Sequence, residues 1–273
     1  MTRPIPSSSE PLPVIGLGTY GGFDVGLSPK EREPLKAVLR TLHAHGASVV
    51  DSSPMYGAAE QVTGDLSVET GLNDKLFIAT KVWTTGKQEG IRQMNRSFDL
   101  LKREQIDLMQ VHNLVDWQTH LNILRDWKDE GRIRYTGITH YTESAYTRIE
   151  SILNDTTVDF LQINYSLLHR RAEERLLPMA QDKGVAVLVN LPFGQGDLFR
   201  RFTNKPLPAL AGALGCSTWA QFFLKFILAY PAVTCIIPGT SSAAHLKDNL
   251  AAATTPLPDE KQRQQMIQAI KDY

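Results

Sequence analysis

Four side chains capable of acid–base chemistry each follow a short apolar segment of this sequence. Ser48-Val49-Val50 is followed by Asp51 and, five residues later, by Tyr56, while Lys81 and His112 close two further apolar segments. An unperturbed tyrosine has a pKa of about 10, so Tyr56 needs partners to donate a proton near neutral pH. A lysine held by Asp51 would place a positive charge beside the phenol and lower the pKa of Tyr56. The four residue types therefore indicate a proton-donating site.

His112 could donate a hydrogen bond to a carbonyl oxygen and orient it. The four residues together would then suit protonation of an alkoxide while hydride is transferred to the carbonyl carbon. The hydride must come from a cofactor, because no side chain supplies it. Taken singly, each residue has a structural explanation, since Lys81 and Asp51 could form an ion pair and His112 could be a core histidine. Four such residues at the ends of successive segments favour the catalytic interpretation.

Composition restricts the class of protein. The 273 residues are 42% hydrophobic and 21% charged, and the 29 basic and 29 acidic residues are not clustered. We therefore expect a globular protein with no nucleic-acid or membrane partner. Cys216 and Cys235 are too far apart for a zinc or disulfide framework, so no metal is expected. Met1 to Ser9 lacks the apolar core of a signal peptide, and no apolar run is long enough to span a bilayer, which predicts a cytoplasmic location.

Short apolar segments, recurring every 25 to 50 residues or so, predict eight buried strands. They are Val14–Leu17, Ser48–Val50, Leu76–Thr80, Ile106–Val111, Tyr135–Thr139, Phe160–Ile163, Val185–Val189 and Val233–Ile237. Amphipathic patterns between and after them predict helices. These are Pro29–His45, Gln88–Arg103, Trp117–Glu130, Ser144–Leu153, Glu173–Lys183, Thr218–Ala229, Ala243–Ala253 and Asp259–Lys271.

This alternation, with no linker or change of composition, predicts an α/β fold. Residues 1–273 are expected to form a single (β/α)8 TIM barrel domain, with its active site at the C-terminal ends of the strands. Residues 191–217 are a long, glycine- and proline-rich connection, which is typical of a functional lid or binding loop. Residues 259–271 are expected to form a C-terminal helix.

Two other motifs are misleading. Residues 16–21 match G-x-G-x-x-G, but a Rossmann fingerprint opens a helix, and here the predicted helix starts only at Pro29. His43-Ala44-His45 resembles a metal-binding pair. It lies at the end of a predicted helix, before Gly46, where histidine is favoured by the helix dipole.

The sequence resembles the aldo-keto reductase superfamily over essentially its whole length. The matching segments are Ile15-Gly16-Leu17-Gly18-Thr19, His45-Gly46, Asp51 with Tyr56-Gly57, Glu60, Gly64, Thr80-Lys81-Val82-Trp83, Ile106-Asp107-Leu108 with His112, Gly131-Arg132-Ile133, Gly137-Ile138, Ile237-Pro238-Gly239 and Asn249-Leu250. The resemblance implies NAD(P)H-dependent reduction of an aldehyde or ketone to an alcohol. It also implies that Tyr56 is the general acid, that Lys81 and Asp51 tune it, and that His112 orients the carbonyl.

The resemblance further implies an extended nicotinamide dinucleotide at the barrel mouth, covered by residues 191–217. Asn190 stands where better-known members place a stacking tyrosine, and Thr139-His140 replaces their Ser-Asn pair. Gly239 and His245 stand where basic residues often hold the 2′-phosphate of NADP. The implied cofactor residues are Gly18, Thr19, Tyr20, Asp51, Thr139, His140, Gln162, Asn190, Leu191, Phe193, Gln195, Asp197, Gly239, Thr240, Ser241, His245 and Asn249.

The cofactor and the substrate pocket are the last expectations from the sequence. NADP(H) is preferred over NAD(H) as the cofactor. The expected substrate pocket comprises Tyr20, Phe23, Met55 and Trp83. The partner is expected to be a small carbonyl compound. A nicotinamide-binding sensor or regulatory subunit with little turnover fits the same site, as does an NAD-linked sugar or alcohol dehydrogenase. The sequence leaves the individual substrate, the physiological direction and the oligomeric state open.

Overall fold

A parallel eight-stranded sheet forms the centre of the computed structural model, which describes residues 1–202 and 204–271. An antiparallel hairpin of β1 (Thr2–Pro4) and β2 (Pro11–Pro13) precedes the sheet in the chain and lies at the N-terminal ends of its strands. The sheet strands are β3 (Leu17–Gly18), β4 (Val49–Asp51), β5 (Phe77–Val82), β6 (Ile106–His112), β7 (Ile133–Thr139), β8 (Phe160–Asn164), β9 (Ala186–Asn190) and β10 (Val233–Ile236).

The sheet closes on itself. Each strand pairs in parallel with the next one along the chain. The two outer strands meet through parallel bridges that join Ile15 to Ile236 and Gly18 to Gly239. The predicted (β/α)8 barrel is therefore confirmed, with strand ends shifted by a few residues. The hairpin was not predicted. Arg3 fastens it to the barrel by donating hydrogen bonds to the carbonyls of Leu228, Tyr230 and Val233.

Helices surround the barrel. In the described ranges they are α1 (Pro29–Ala44), α2 (Ala59–Glu69), α3 (Lys87–Leu101), α4 (Trp117–Asp129), α5 (Tyr146–Asp155), α6 (Leu176–Asp182), α7 (Asp197–Phe202), α8 (Ala209–Ala213), α9 (Trp219–Leu228), α10 (Ala243–Ala251) and α11 (Glu260–Ala269). None of these described helices is long and apolar enough to cross a membrane.

Three of these helices were missed from the sequence. The α2 helix buries Glu60, Thr63 and Ser67 as well as aliphatic side chains, so no apolar stripe marks it. The α7 and α8 helices are short and interrupt the 191–217 connection, which was expected to be a loop. Thr203 in this connection, and residues 272 and 273 of the predicted domain, lie outside the described residues.

Strand alternation decides which side chains reach the mouth. The inner face carries an apolar cluster comprising Ile5, Leu12, Val49, Phe77, Ala79, Leu108, Tyr135, Phe160, Ala186, Leu188, Cys235 and Ile237. Because strand side chains alternate, residues two positions further along share this inner face. The next inward positions are Asp51, Lys81, Gln110, Gln162 and Asn190. The barrel interior therefore changes from apolar to polar at the C-terminal ends of its strands.

Candidate active site

Asp51, Lys81 and Tyr56 form one contact group at the barrel mouth. The Lys81 ammonium donates to Asp51 Oδ2 at 2.6 Å and to the Ser52 carbonyl at 2.7 Å. It also lies 4.9 Å from the centroid of the Tyr56 ring. Lys81 is fully buried and Asp51 is 3% exposed. The structure therefore brings together the three residues that the sequence placed on two strand ends and a loop.

The electrostatics of this group differ in one respect from the expectation. Burial opposes the charged form of Lys81, but Asp51 and Tyr56 more than offset it, so the pKa of Lys81 is raised and the lysine is charged at neutral pH. Burial also raises the pKa of Tyr56, and the attraction of Lys81 offsets only part of that rise. The expected net lowering of the pKa of Tyr56 is therefore wrong, because desolvation of the phenolate is the larger effect. Tyr56 is held in its protonated form.

Two glutamines fix the carboxylate of Asp51. Its Oδ1 atom accepts hydrogen bonds from Gln162 Nε2 at 2.8 Å and from Gln110 Nε2 at 3.2 Å. Gln162 Oε1 in turn accepts from the Thr139 hydroxyl at 3.1 Å. Sequence reasoning missed Gln110, although a polar residue two positions before His112 in a mostly apolar segment was an available signal. The structure buries Gln110 fully.

His112 lies beside Tyr56 and is neutral. Their ring centroids are 5.9 Å apart in an edge-on arrangement. Burial, the charge of Lys81 and the nearby His140 lower the pKa of His112 to about 2. Its Nδ1 atom lies 2.9 Å from the Ser53 hydroxyl. A neutral imidazole has a single N–H to donate, so His112 can hydrogen-bond a carbonyl oxygen without adding a charge.

A cavity of about 650 Å³ opens above this group. The predicted residues that line it are Gly18, Thr19, Tyr20, Asp51, Met55, Tyr56, Trp83, His112, Thr139, Gln162, Asn190, Leu191, Phe193, Gln195 and Gly239. Lys81 lies beneath the lining. Tyr20, Met55 and Trp83 are exposed at the rim, which places most of the expected substrate pocket where it was predicted.

Phe23 and His140 lie elsewhere. The Phe23 side chain is fully buried in the core between barrel and helices, so it does not line the cavity as expected. The His140 ring folds back instead, and its Nδ1 accepts hydrogen bonds from the backbone N–H groups of Tyr141 and Thr142. These contacts use the imidazole to order the start of the loop, and Tyr141 lines the cavity in its place.

The remaining predicted cofactor residues are outside the cavity lining. Asp197 begins α7 and pairs with Arg200 and Arg201. Of the others, Thr240 and Ser241 lie in the turn before α10, whereas His245 and Asn249 lie within that helix. There, Ser242 caps the helix by accepting a hydrogen bond from the His245 N–H.

The cavity also has lining residues that were not predicted. They are Asn113, Tyr141, Pro192, Gly196 and Ile237. Asn113 has a positive φ of 54°, which the sequence does not reveal. Asn113, Tyr141, Pro192 and Gly196 each adjoin a predicted residue, and Ile237 lies two positions before Gly239. Their positions after β6, β7, β9 and β10 were therefore the available signal.

Gly57 directly follows Tyr56 and packs against the side chain of Asp24. It has φ +59°, and a Cβ atom there would overlap the Asp24 carboxylate. Asp24 Oδ1 also accepts a hydrogen bond from the Ala58 N–H at 2.9 Å. We expect Gly57→Ala to lower kcat by about 10²-fold, since a displacement near 1 Å has that effect on a catalytic group. Steady-state kinetics would check this.

Gly71 supplies the matched control. It has φ +68°, and a methyl group at this position would meet nothing within 4 Å, so Gly71→Ala introduces similar backbone strain without the clash. We expect both variants to lose about 1–2 kcal/mol of unfolding free energy. Only Gly57→Ala should lose activity. Equal kcat values in the two variants would show that the Asp24 contact does not position Tyr56.

Known proteins resemble this chain in sequence and fold. The model of the Aldo/keto reductase family matches residues 14–270. Methylglyoxal reductase YeaE of Escherichia coli is 26% identical, covering 92% of this chain and 89% of its own length. An uncharacterized oxidoreductase of Schizosaccharomyces pombe is 30% identical, covering 85% of this chain and 78% of that protein.

The solved structures agree with the sequence comparison. An aldo-keto reductase from Klebsiella pneumoniae in complex with NADPH superposes with a TM-score of 0.82 and 26% identity, covering 98% of this chain and 95% of that one. The same family is therefore reached from the fold and from the sequence. Because the family model spans every strand of the barrel and all four residues at its mouth, the chain belongs to the aldo/keto reductase family.

Proposed function

We propose that this oxidoreductase reduces an aldehyde or ketone to the alcohol with NADPH, using Tyr56 as the proton donor. The observation that carries the proposal is the buried Lys81–Asp51 pair beside a protonated tyrosine at the cavity floor. Burying a lysine and a carboxylate beside a cavity costs free energy, because both charged groups lose their hydration. A catalytic role, in which the pair stabilises a charge that forms on the neighbouring phenol, explains why this cost is tolerated.

The residues of this chain divide the acid–base work. His112 would donate its single N–H to the carbonyl oxygen and fix the direction of the carbonyl in the cavity. Tyr56 would then give its proton to the oxygen as negative charge develops there. Lys81 would stabilise the phenolate that remains, and Asp51, held by Gln110 and Gln162, would keep Lys81 charged.

The cavity also fits a dinucleotide. Its volume lies in the range of about 300–1,000 Å³ that is usual for small-molecule sites. Gly18, Gly196 and Gly239 line it without side chains, which lets an extended ligand approach the backbone. Thr139, Gln162 and Asn190 supply hydrogen-bonding groups near Tyr56. When bound, the nicotinamide supplies the hydride.

NADPH is proposed over NADH because of the start of α10. Hydroxyl side chains of Thr240, Ser241 and Ser242 lie at this helix N-terminus, with Lys247 in the same helix. A helix N-terminus favours an anion such as a phosphate. The relative from Klebsiella pneumoniae was solved with NADPH, which supports the same choice.

A turnover assay tests this function. The purified protein would be mixed with a nitrobenzaldehyde and either NADPH or NADH, and the absorbance of the reduced nicotinamide followed. We expect aldehyde-dependent loss of absorbance with a higher kcat/KM for NADPH. Cofactor binding without turnover across a panel of aldehydes, ketones and sugars would instead indicate a sensor. A preference for NAD+ and an alcohol or sugar would indicate an NAD-linked dehydrogenase.

A further inference from the structure

Ser53 connects the loop after β4 to the end of β6. It follows β4 and is fully buried. Its carbonyl accepts a hydrogen bond from the Tyr56 N–H at 3.0 Å, and its hydroxyl lies 2.9 Å from His112 Nδ1. One residue therefore shapes the turn that carries the proton donor and contacts the imidazole from a strand 59 positions away.

The hydrogen-bond partners of Ser53 determine the direction of the contact with His112. Ser53 Oγ also accepts a hydrogen bond from the Met55 N–H at 3.3 Å. Nδ1 is the only acceptor within reach of the hydroxyl proton among the described residues. If Nδ1 carried the proton instead, Ser53 would be left with a buried hydroxyl proton and no acceptor, which is unfavourable.

Nε2 is the other nitrogen of the His112 ring. The His112 ring lines the cavity, and Nε2 has no hydrogen-bond partner among the residues that the structure describes. A neutral imidazole carries its proton on one nitrogen only, so an acceptor Nδ1 leaves the N–H at Nε2. Nδ1 is committed to Ser53, and the other nitrogen is the one available to a ligand.

We propose that Ser53 is a positioning residue, whose hydroxyl donates to His112 Nδ1 and holds the imidazole in the tautomer that presents Nε2–H to the substrate carbonyl. No proton is transferred by Ser53 itself. The contact also resists rotation of the ring, because a flipped imidazole would break the hydrogen bond. The effect of Ser53 on turnover rests on the proposed carbonyl reduction, whereas the tautomer of His112 does not.

The tautomer is measured directly on the full chain. Long-range ¹H–¹⁵N correlation of ¹⁵N-labelled protein distinguishes a protonated ring nitrogen from an unprotonated one, and a His112→Gln variant identifies the His112 signals. We expect an N–H at Nε2 and a lone pair at Nδ1 in the wild-type protein. Ser53→Ala should shift the population toward the other tautomer, and Ser53→Thr, which keeps a hydroxyl, should restore it.

Kinetics give the second readout. We expect Ser53→Ala to lower kcat/KM for the aldehyde about tenfold, which is the size of effect that one hydrogen bond supports. The dissociation constant for NADPH should stay unchanged. Ser67→Ala is the matched control, because Ser67 is also fully buried but its hydroxyl bonds to the Gly64 carbonyl and the Asn73 side chain, within and next to α2. It should leave both the tautomer and kcat/KM unchanged.

The outcomes separate the two proposals. An N–H at Nδ1 of wild-type His112 would overturn the role of Ser53, even if Ser53→Ala failed to fold. An unchanged tautomer and unchanged kcat/KM in a folded Ser53→Ala protein would also overturn it. A wild-type protein that shows the Nε2–H tautomer, loses it in Ser53→Ala and reduces no carbonyl would support the contact and reject the proposed function.

Discussion

Replacing Tyr56 with phenylalanine is expected to lower kcat for aldehyde reduction by about 10²–10⁴-fold, which is the usual contribution of a positioned general acid. The change removes only the hydroxyl, and the ring keeps its edge contacts with Tyr20 and His112. NADPH affinity and unfolding free energy should therefore change little. Single-turnover kinetics with saturating NADPH would measure the chemical step, and nucleotide titration would measure binding.

Tyr135→Phe is the control for loss of a phenol inside the barrel. Tyr135 lies in the interior cluster, far below the cavity, and its hydroxyl bonds Glu10 and Ser8. Its loss should lower the unfolding free energy by about 1 kcal/mol without lowering kcat. If Tyr56→Phe kept most of its activity, the proton donor would have to be another group.

Replacing Lys81 with methionine is expected to abolish most of the activity and to change its pH dependence. The proposed reduction needs protonated Tyr56, so we expect the wild-type rate to be constant through neutral pH and to fall as pH rises through the pKa of Tyr56. Burial raises this pKa above its ordinary value of about 10. Without the charge of Lys81 this pKa rises further, and the alkaline fall moves to higher pH. The rate at neutral pH decreases because the phenolate is no longer stabilised. A pH–rate profile checks both effects.

Lys225→Met separates these effects from the general effect of losing a buried lysine. Lys225 is also fully buried, and its ammonium donates to the backbone carbonyls of Thr255 and Pro256. We expect both variants to lose stability, with the larger loss, about 3–5 kcal/mol, for Lys81→Met, because it leaves the Asp51 carboxylate buried without its cation. Only Lys81→Met should alter the pH profile. An unchanged profile in that variant would contradict the role given to Lys81.

Local periodicity was sufficient to predict the barrel. Continuous apolar segments separated by helical patterns can be read from a few neighbouring residues at a time. Parallel strands of this kind close into a barrel with all their C-terminal ends at one mouth. Asp51, Lys81 and His112 were found because a charged or polar side chain that ends an apolar strand is visible in the sequence. The α2 helix was missed because its buried face carries polar residues.

The sequence by itself determined the fold, the family resemblance and the four residues at the mouth. The tertiary structure decided how those residues are held: it showed the contacts of Gln110 and Ser53, turned His140 back onto its own loop and buried Phe23. It also reversed the expected direction of the pKa of Tyr56. The physical reason is that burial and hydrogen-bond partners depend on residues distant in sequence, such as Ser53 and His112, whose distance from each other is set only when the barrel closes.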